Sequence, residues 1–327
     1  MEYTVTEESF DSLHAYWSQQ RDGLKWDLVF VLPSWLRAWW QVFGNEHELN
    51  LRAVRQEERL IGIAPLMVKN KVASLVGSAD VCDYLDFITA PGMESDFFRV
   101  LIGDLRQRDI ERLELNPLRP DSLALTELVP IVKQHNYPVE YLQEEVTVEL
   151  DLPTTWDDYL ARLSKKQRHE VGRKLRRLWE TPNINHRCLE VRPEGLEELT
   201  NAFLKLFSSN REDKKHFMTP RMEVFFRSMA QAMAEIGILR FGIIELEEQP
   251  IAMTLGFDYQ GTHYLYNSGY DPAYRHLSVG LLSKVLCLKE SIRQGRQKWD
   301  FLKGSETYKY HLGGNEIPLY RCQITLK

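Results

Sequence analysis

Apolar and polar positions along the second half of the chain follow first a helical and then a strand-like pattern. Helical spacing is shown by Leu196, Leu199, Phe203 and Leu206. Three apolar runs then follow at 238–246, 251–258 and 262–269. The breaks between these runs are short enough for antiparallel hairpins, so they predict a three-stranded meander. Further helices are predicted at 164–180, 221–235 and 281–292, and further strands at 184–191, 298–302 and 319–326.

The first half shows the same order of elements in a weaker form. Its predicted helices cover 8–19, 34–43, 95–108 and 122–135, and its strands cover 49–54, 60–68, 72–76, 84–88, 112–115 and 139–148. Pro65 lies inside a strand pattern, which predicts an edge or bulged strand there. The repeated order of helix pair, meander, helix and strand indicates duplication. We therefore expect an α/β (α+β) fold with two fused domains at 1–150 and 151–327, each a mixed, mostly antiparallel sheet flanked by helices.

The charge is distributed unevenly between the two halves. The net charge of −6 argues against a general nucleic-acid binder, and no DNA partner is expected. Residues 1–150 hold 14 basic and 25 acidic side chains, whereas residues 151–327 hold 27 and 22. An anionic ligand is therefore expected in the second half.

The four cysteines, Cys82, Cys188, Cys287 and Cys322, form no C-x-x-C pair, and the nine histidines form no H-x-x-x-H motif. We therefore expect core cysteines and no metal site. The polar start predicts no signal peptide, and no apolar run is long enough for a membrane span. A cytoplasmic protein is the expectation.

The segment 270–282, Y-D-P-A-Y-R-H-L-S-V-G-L-L, lies between a predicted strand and a predicted helix. Arg275, Ser278 and Gly280 fit the pattern R/Q-x-x-G-x-G/A, with serine in place of the first glycine. Small residues at a helix start let backbone amides approach a pyrophosphate, helped by the helix dipole. The alternative is an ordinary capped turn.

Five blocks in order resemble tandem GNAT acyltransferases of the CelD-like type, which are associated with cellulose or polysaccharide biosynthesis. More distantly, they resemble the Fem-type aminoacyltransferases. The blocks are P-S-W-L-R-A-W-W-Q-V-F-G (33–44), I-G-I-A-P-L (61–66), C-D-Y-L-D-F (82–87), S-K-K-Q-R-H-E-V-G-R-K-L-R-R-L (164–178) and W-D-F-L-K-G-S-E-T-Y-K-Y (299–310). The second half also has the order of elements of a GNAT domain. The first half has the same order but no matching phosphate-loop pattern, so it is interpreted as a degenerate copy.

The resemblance implies that acyl-CoA, such as acetyl-CoA, is a co-substrate. Its expected contacts are Arg275, His276, Leu277, Ser278, Val279, Gly280 and Leu281, with Asn267 and Gly269 on the preceding strand. It also implies oxyanion donors where strand 264–269 leaves its neighbour. The resemblance further implies a tyrosine proton donor, for which Tyr308 is the first choice and Tyr310 the second. The alternative is that both tyrosines are packing residues.

Three charged residues of the last block are further candidates. In Fem-type enzymes a lysine in a comparable block places the acyl carbonyl, which implies that role for Lys309; a solvated surface lysine is the alternative. Asp300 and Glu306 are candidates for a general base or for binding a cationic acceptor, and a capping role is the alternative for Glu306. In the first half, Asp83, Tyr84 and Asp86 are expected to line the acceptor cleft, unless they only cap a strand.

The sequence thus predicts transfer of an acyl group to an amine or hydroxyl of a small molecule or envelope saccharide. Two alternatives stay open: a Fem-like transferase that uses aminoacyl-tRNA, and a non-catalytic accessory protein of polysaccharide biosynthesis. Seven cations between 165 and 177 would suit RNA or an anionic polymer, although a solvated helix face is the alternative.

Overall fold

The computed structural model describes residues 2–210 and 212–327. The chain divides into two compact units. The first comprises Met1–Val146 and Ile317–Lys327, and the second comprises Thr147–Glu316. The last eleven residues, which the sequence assigned to the second domain, therefore belong to the first unit. Among the described residues, no helix has the length and apolar character needed to cross a membrane.

The first unit contains a mixed, mostly antiparallel sheet flanked by helices. Its strands are β1 (Tyr3–Glu7), β2 (Glu48–Gln56), β3 (Arg59–Lys69), β4 (Val72–Leu75), β5 (Ile88–Thr89), β6 (Arg112–Leu118), the start of β7 (Val139–Asp151) and most of β13 (Asn315–Thr325). Its helices are α1 (Phe10–Ser18), α2 (Pro33–Phe43), α3 (Glu94–Gln107) and α4 (Val129–Gln134). The strand order is β1-β2-β3-β4-β6-β13, with β5 beside β3, and β4 is parallel to β6.

Pro65 does not lie on an edge or at a bulge, so that prediction is wrong. Strand β3 pairs with β2 on one side and with β4 and β5 on the other, and Pro65 is in register with Leu51. Pro65 lies between Ile63, which pairs with β5, and Leu66, which pairs with β4. A missing amide in this gap breaks no ladder hydrogen bond, which is why an interior strand tolerates proline here.

The second unit repeats the expected order of helices and meander. Its strands are the end of β7, β8 (Ile184–Glu190), β9 (Leu239–Leu246), β10 (Gln249–Tyr259), β11 (Thr262–Tyr270) and β12 (Lys298–Lys303). Its helices are α5 (Trp156–Arg162), α6 (Lys165–Trp179), α7 (Leu196–Asn210), α8 (Glu212–Phe217), α9 (Pro220–Glu235), α10 (Val279–Arg293) and α11 (Thr307–His311). The strand order is β7-β12-β11-β10-β9-β8, and β11 is parallel to β12.

Local sequence signals explain where the helices of the second unit begin. The Thr155 hydroxyl accepts the amide of Asp158 and starts α5. Ser164 and Gln167 form a reciprocal capping box at the start of α6. These caps satisfy amides that have no partner inside the helix, so they fix the first residue of each helix.

Helices α7 and α10 cover opposite faces of the second sheet. Thr254 of β10 contacts Cys287 of α10 through its hydroxyl. Met253, the next residue along β10, pairs with Gly269, and a β-carbon at Gly269 would collide with the backbone of α7. Successive residues of a strand point to opposite faces, so α10 and α7 lie on different sides. Helix α10 supplies much of the buried core, in which Val279, Leu282 and Leu288 are fully buried.

Candidate active site

Strands β11 and β12 diverge part-way along their length. They are paired from Thr262 with Lys298 to Tyr264 with Asp300, and no pairing between them is described beyond that point. A register shift opposite Leu255–Phe257 of β10 places a bulge in β11 just after Tyr264. The ladder between β11 and β12 is thus described only over Thr262–Tyr264, and strand 264–269 runs on past it, where the resemblance places the oxyanion donors.

The end of β12 has an unusual backbone conformation at Leu302. This residue has a φ of 61°, in the left-handed region that a leucine rarely adopts, and its side chain is buried. Its amide donates to Asp300 Oδ1 at 2.7 Å, and its carbonyl accepts from Lys309 Nζ at 2.8 Å. Asp300 and Lys309 thus bind the amide and the carbonyl of the same strained residue.

Lys309 is not a solvated surface residue, because its side chain is almost completely buried. Its ammonium donates to the carbonyls of Leu302, Lys303 and Gly304 at 2.8, 2.7 and 3.0 Å. It also lies 3.0 Å from Glu306 Oε2. Since an ammonium has three protons, these contacts occupy its donor capacity. The position that the resemblance assigned to an acyl carbonyl is therefore filled by main-chain carbonyls.

The two acidic candidates, Asp300 and Glu306, also contact neighbouring groups of the protein. Asp300 is buried and accepts a hydrogen bond from the Thr147 hydroxyl at 3.3 Å in addition to the Leu302 amide. Glu306 occupies the residue before α11 without capping that helix through its side chain. Both carboxylates therefore hold the turn after β12, which leaves the identity of a general base as a prediction.

The segment between β11 and α10 forms a helical turn, Pro272–Leu277, which Asp271 begins by accepting the Ala273 amide. Ser278 follows in the left-handed region with a φ of 58° and makes no side-chain cap to α10. Its carbonyl accepts the amides of Leu281 and Leu282. Within the described residues, the amides of Val279 and Gly280 have no acceptor. The start of α10 thus combines two amides that lack an acceptor, that of the buried Val279 and that of the half-buried Gly280, with the positive end of the helix dipole.

The side chains of this turn divide into buried and exposed sets. Leu277 and Val279 are buried, and their side chains anchor the turn in the core. Arg275 and His276 are exposed, and His276 lies 3.2 Å from the Ala273 carbonyl. In the described part of the chain the Arg275 guanidinium has no ion-pair partner, so it remains available to an anion.

The two glycines predicted to approach a cofactor have packing reasons of their own. A β-carbon at Gly280 would lie 2.6 Å from the ring of Tyr270. Gly269 lies against the backbone of α7, as described above, and Asn267, two residues earlier, is on the same face of β11. The glycines are therefore required by close contacts within the fold, whether or not a ligand is bound.

Lys284 connects the start of α10 to Tyr308. Its ammonium donates to the Gly280 carbonyl at 2.7 Å and lies 5.2 Å from the centre of the Tyr308 ring. Tyr308 also packs edge-on against Phe301. Burial raises the pKa of the Tyr308 phenol, so this hydroxyl stays protonated at neutral pH. The structure therefore places the first-choice proton donor beside the predicted phosphate turn.

Lys284 was not among the sequence candidates, although the sequence contains a signal for it. It falls three residues after Leu281 and four before Leu288, inside the apolar stripe of the predicted helix. A lysine on a buried face requires hydrogen-bond partners. By contrast, the second-choice donor Tyr310 donates to Glu316 Oε2 at 2.7 Å, and its hydroxyl group is already engaged.

Helix α6 contacts both α10 and the turn Pro272–Leu277. The helix carries Lys165, Lys166, Arg168, Arg173, Lys174, Arg176 and Arg177. Of these, Arg173 and Lys174 pair with Glu170. Side-chain hydrogen bonds from Arg173 lower the pKa of Glu170 to about 2. The other five cations are exposed and make α6 strongly positive, which favours an anionic ligand in its neighbourhood.

The acidic block of the first unit is largely internal. Tyr84 is buried beneath the Arg119 guanidinium, 5.1 Å from the ring centre. The Asp86 carboxylate accepts the amides of Leu123 and Ala124 at 2.6 and 3.2 Å, at the start of the helical segment that leads into α4. Asp83 is half-buried. Asp86 also borders a cavity of about 270 Å³ in the first unit.

The fold and the turn together define an α/β domain built around two diverging parallel strands with an open helix N-terminus beside them. Residues 165–310 match the family model described as "Acetyltransferase (GNAT) domain". The second unit thus has the fold of a GNAT domain, as the order of its elements predicted. No curated protein matches the chain.

Solved structures extend the likeness to nearly the whole chain. The structure titled "Crystal structure of FemX" has a TM-score of 0.65 at 11% identity, covering 98% of this chain and 97% of that one. A "Tandem GNAT protein from the clavulanic acid biosynthesis pathway" has a TM-score of 0.51 at 10% identity, covering 99% and 98%. The structure of L-PGS from Bacillus licheniformis has a TM-score of 0.56 at 9% identity, covering 89% and 90%. At these identities the likeness shows the fold.

Proposed function

We propose that this chain is an acyltransferase that moves an acyl group from a CoA thioester to an amine or hydroxyl. The observation that carries the proposal is the turn at Ser278, where two unpaired amides begin α10 at the end of a strand that has diverged from its neighbour. A thioester donor needs both a place for its diphosphate and a place for its reacting carbonyl. The turn offers the first and the divergence of β11 from β12 offers the second.

The residues of the turn fit a diphosphate. Because Ser278 does not cap α10 with its own side chain, the amides of Val279 and Gly280 can donate to phosphate oxygens. The exposed Arg275 adds a cation that can bind phosphate in a bidentate manner. The positive face of α6 adds longer-range attraction.

The reaction requires a donor for the oxyanion and a proton for the leaving group. The acceptor nitrogen or oxygen forms a bond to the acyl carbon and loses a proton, the carbon–sulfur bond breaks, and the departing thiolate gains a proton. Backbone amides of β11 past Tyr264, where its described ladder with β12 ends, are the candidates to stabilise the oxyanion. The Tyr308 hydroxyl is the candidate to supply the proton because it is protonated at neutral pH and Lys284 links its ring to the start of α10.

The acceptor is proposed by class only: a small molecule or an envelope-saccharide precursor with a free amine or hydroxyl. Solved structures with a similar fold include FemX, L-PGS and a protein of clavulanic acid biosynthesis, so the fold does not select one acceptor. The resemblance of the sequence blocks to CelD-like proteins favours a saccharide. A role in polysaccharide biosynthesis belongs to this proposal.

A second candidate function is transfer of an aminoacyl group carried by tRNA. The seven cations of α6 next to the turn favour it, because an RNA donor would need extended contacts to its phosphates. The chemistry at the carbonyl would be the same, and the two donors differ in size and in the salt dependence of their binding.

Calorimetric titration separates these functions. We expect acetyl-CoA and CoA to bind the full chain, and Arg275→Ala to weaken binding by about 10- to 100-fold, the value of a charge-assisted contact. The matched control is Arg192→Ala, which removes another exposed arginine of the second unit outside the turn. Binding of aminoacyl-tRNA without binding of CoA would favour the second candidate. Binding of neither donor would contradict both transferase functions and favour a non-catalytic accessory protein.

A further inference from the structure

Three potential metal ligands meet on the sheet face that α10 covers. His186 and Cys188 alternate along β8 and so share a face of the strand, and Cys287 projects from the middle of α10. Their ligand atoms all lie within 4.8 Å of one another. We propose that His186, Cys188 and Cys287 bind a thiophilic divalent cation, with Zn²⁺ as the best fit.

The distances within this cluster match tetrahedral coordination. The two sulfur atoms are 3.4 Å apart, and the His186 Nε2 atom lies 3.6 Å from Cys188 Sγ and 4.0 Å from Cys287 Sγ. Zn–S bonds of about 2.3 Å and Zn–N bonds of about 2.0 Å at a tetrahedral angle place sulfurs about 3.8 Å apart and nitrogen about 3.6 Å from sulfur. The cluster therefore needs movements of only a few tenths of an ångström to accept the ion.

The donor set has the chemistry that Zn²⁺ prefers. Two thiolates and an imidazole are softer than carboxylates, so they select against Mg²⁺ and Ca²⁺. A divalent ion also balances the two thiolate charges, which makes their burial affordable. The set thus has three protein ligands and a net charge of zero with the ion in place.

The neighbouring residues leave room at the cluster. Gly242 of β9 is in register with Cys188, and a β-carbon at Gly242 would collide with the sulfur of Cys287. A cavity of about 300 Å³ borders both cysteines. Its polar rim includes Glu190, Arg240, Asp258, Glu290 and Arg296. The fourth coordination position therefore opens toward the cavity, where water or an external ligand can bind.

The sequence predicted no metal site because it contains no local ligand pair of the C-x-x-C kind. The cluster is instead assembled by topology, since Cys188 and Cys287 are 99 residues apart. Strand β8 is the last strand in the order of the second unit's sheet. A bound ion would tie this outer strand to α10, so it would stabilise the second unit independently of acyl transfer.

The test uses the full chain, reduced and stripped of metal with a chelator. We expect one Zn²⁺ or Co²⁺ per chain, a thiolate-to-cobalt charge-transfer band in the near ultraviolet, and an increase in thermal stability on adding Zn²⁺. Cys188→Ser, Cys287→Ser and His186→Asn should each weaken Zn²⁺ binding by about 10- to 100-fold or more. Cys322→Ser, which removes a buried thiol of the first unit, is the matched control and should bind like the unmodified chain.

The unmodified chain alone can overturn the proposal, so the result does not depend on whether the variants fold. No metal uptake, or Co²⁺ bound without a thiolate band, would contradict it. Equal Zn²⁺ affinity of the Cys188→Ser and Cys322→Ser chains would also contradict it. A Cys188–Cys287 disulfide that forms in air and is unaffected by Zn²⁺ would assign the pair a redox role instead. CoA binding at the Ser278 turn is measured separately, and its failure leaves the metal result unchanged.

Discussion

Single buried charged groups in this chain mainly hold the backbone in particular conformations. Lys309 and Asp300 bind the carbonyl and amide of Leu302, and Asp86 binds amides at the start of a helical segment. Their residue types suggested chemistry, because lysine and aspartate are ordinary catalytic groups and both lie in the block 299–310 that resembles CelD-like and Fem-type proteins. Sequence alone could not distinguish the two roles, since the distinction depends on which carbonyls the fold brings to the ammonium.

We expect Lys309→Met to lower the free energy of unfolding by about 3 kcal/mol, because it leaves buried carbonyls after β12 without a donor. Urea unfolding measures this change. Lys166→Met, on the exposed face of α6, is the control and should change stability by less than about 0.5 kcal/mol. If Lys309→Met instead leaves stability intact and only slows acyl transfer, the lysine acts on substrate after all.

Asp86 gives the first unit a pH-dependent stability. Burial raises the pKa of this carboxyl to about 7, and hydrogen bonds from the amides of Leu123, Phe87 and Ala124 limit the rise. Because the unfolded aspartate loses its proton near pH 3.9, the unfolded state binds fewer protons between about pH 4 and 7. The free energy of unfolding should therefore fall by up to about 4 kcal/mol as the pH rises through that range.

Urea unfolding of the Asp86→Asn variant across the same pH range checks this assignment. The difference in stability between the unmodified chain and the variant should change with pH, since the asparagine does not titrate. Asp80→Asn removes an exposed carboxylate of the first unit and should keep the pH dependence of the unmodified chain. A pH-independent difference between the unmodified chain and Asp86→Asn would contradict the raised pKa.

The sequence predicted helices and strands well where a regular pattern of apolar residues extends over many positions. The meander β9–β11 follows the three apolar runs in the sequence, and α10 covers the helix predicted at 281–292. Strand β1 was missed because its five residues carry little periodicity, and it is defined by its pairing with β2. The sequence also did not reveal that β3 is an interior strand. Whether Pro65 lies on an edge depends on which strands pair with β3, and those strands are known only from the fold.

The contact between Lys284 of α10 and Tyr308 of α11 leads to a prediction for Tyr308→Phe. The ring would keep its contacts with Phe301 and Lys284, so folding and CoA affinity should be nearly unchanged. The variant loses the proton for the leaving thiolate, and we expect kcat to fall by about 10²- to 10⁴-fold. Steady-state release of free CoA measures this, with Tyr310→Phe as the control. Equal kcat values for the two variants would remove Tyr308 from the reaction.

At the scale of the whole molecule, the last strand lies in the first compact unit, whereas the sequence grouped residues 151–327 together. Residues 317–327 belong to the first unit, where the stretch from Tyr320 to Thr325 pairs with β6 and buries Cys322 and Ile324. Such a return of the chain depends on contacts between residues about 200 positions apart, which no local pattern records. The same limit applies to the His186–Cys188–Cys287 cluster and to Lys284, whose partners come from distant segments.

Hydrogen–deuterium exchange of the full chain with and without CoA tests the central claim most directly. The account predicts that CoA slows exchange at the amides of Val279 and Gly280, because they change from unpaired donors to phosphate ligands. Peptides of the first unit that contain Asp86 should be unaffected by the donor. Slowed exchange anywhere but the segment from Arg275 to Leu282, or no change at saturating CoA, would contradict the proposal that this turn binds the acyl donor.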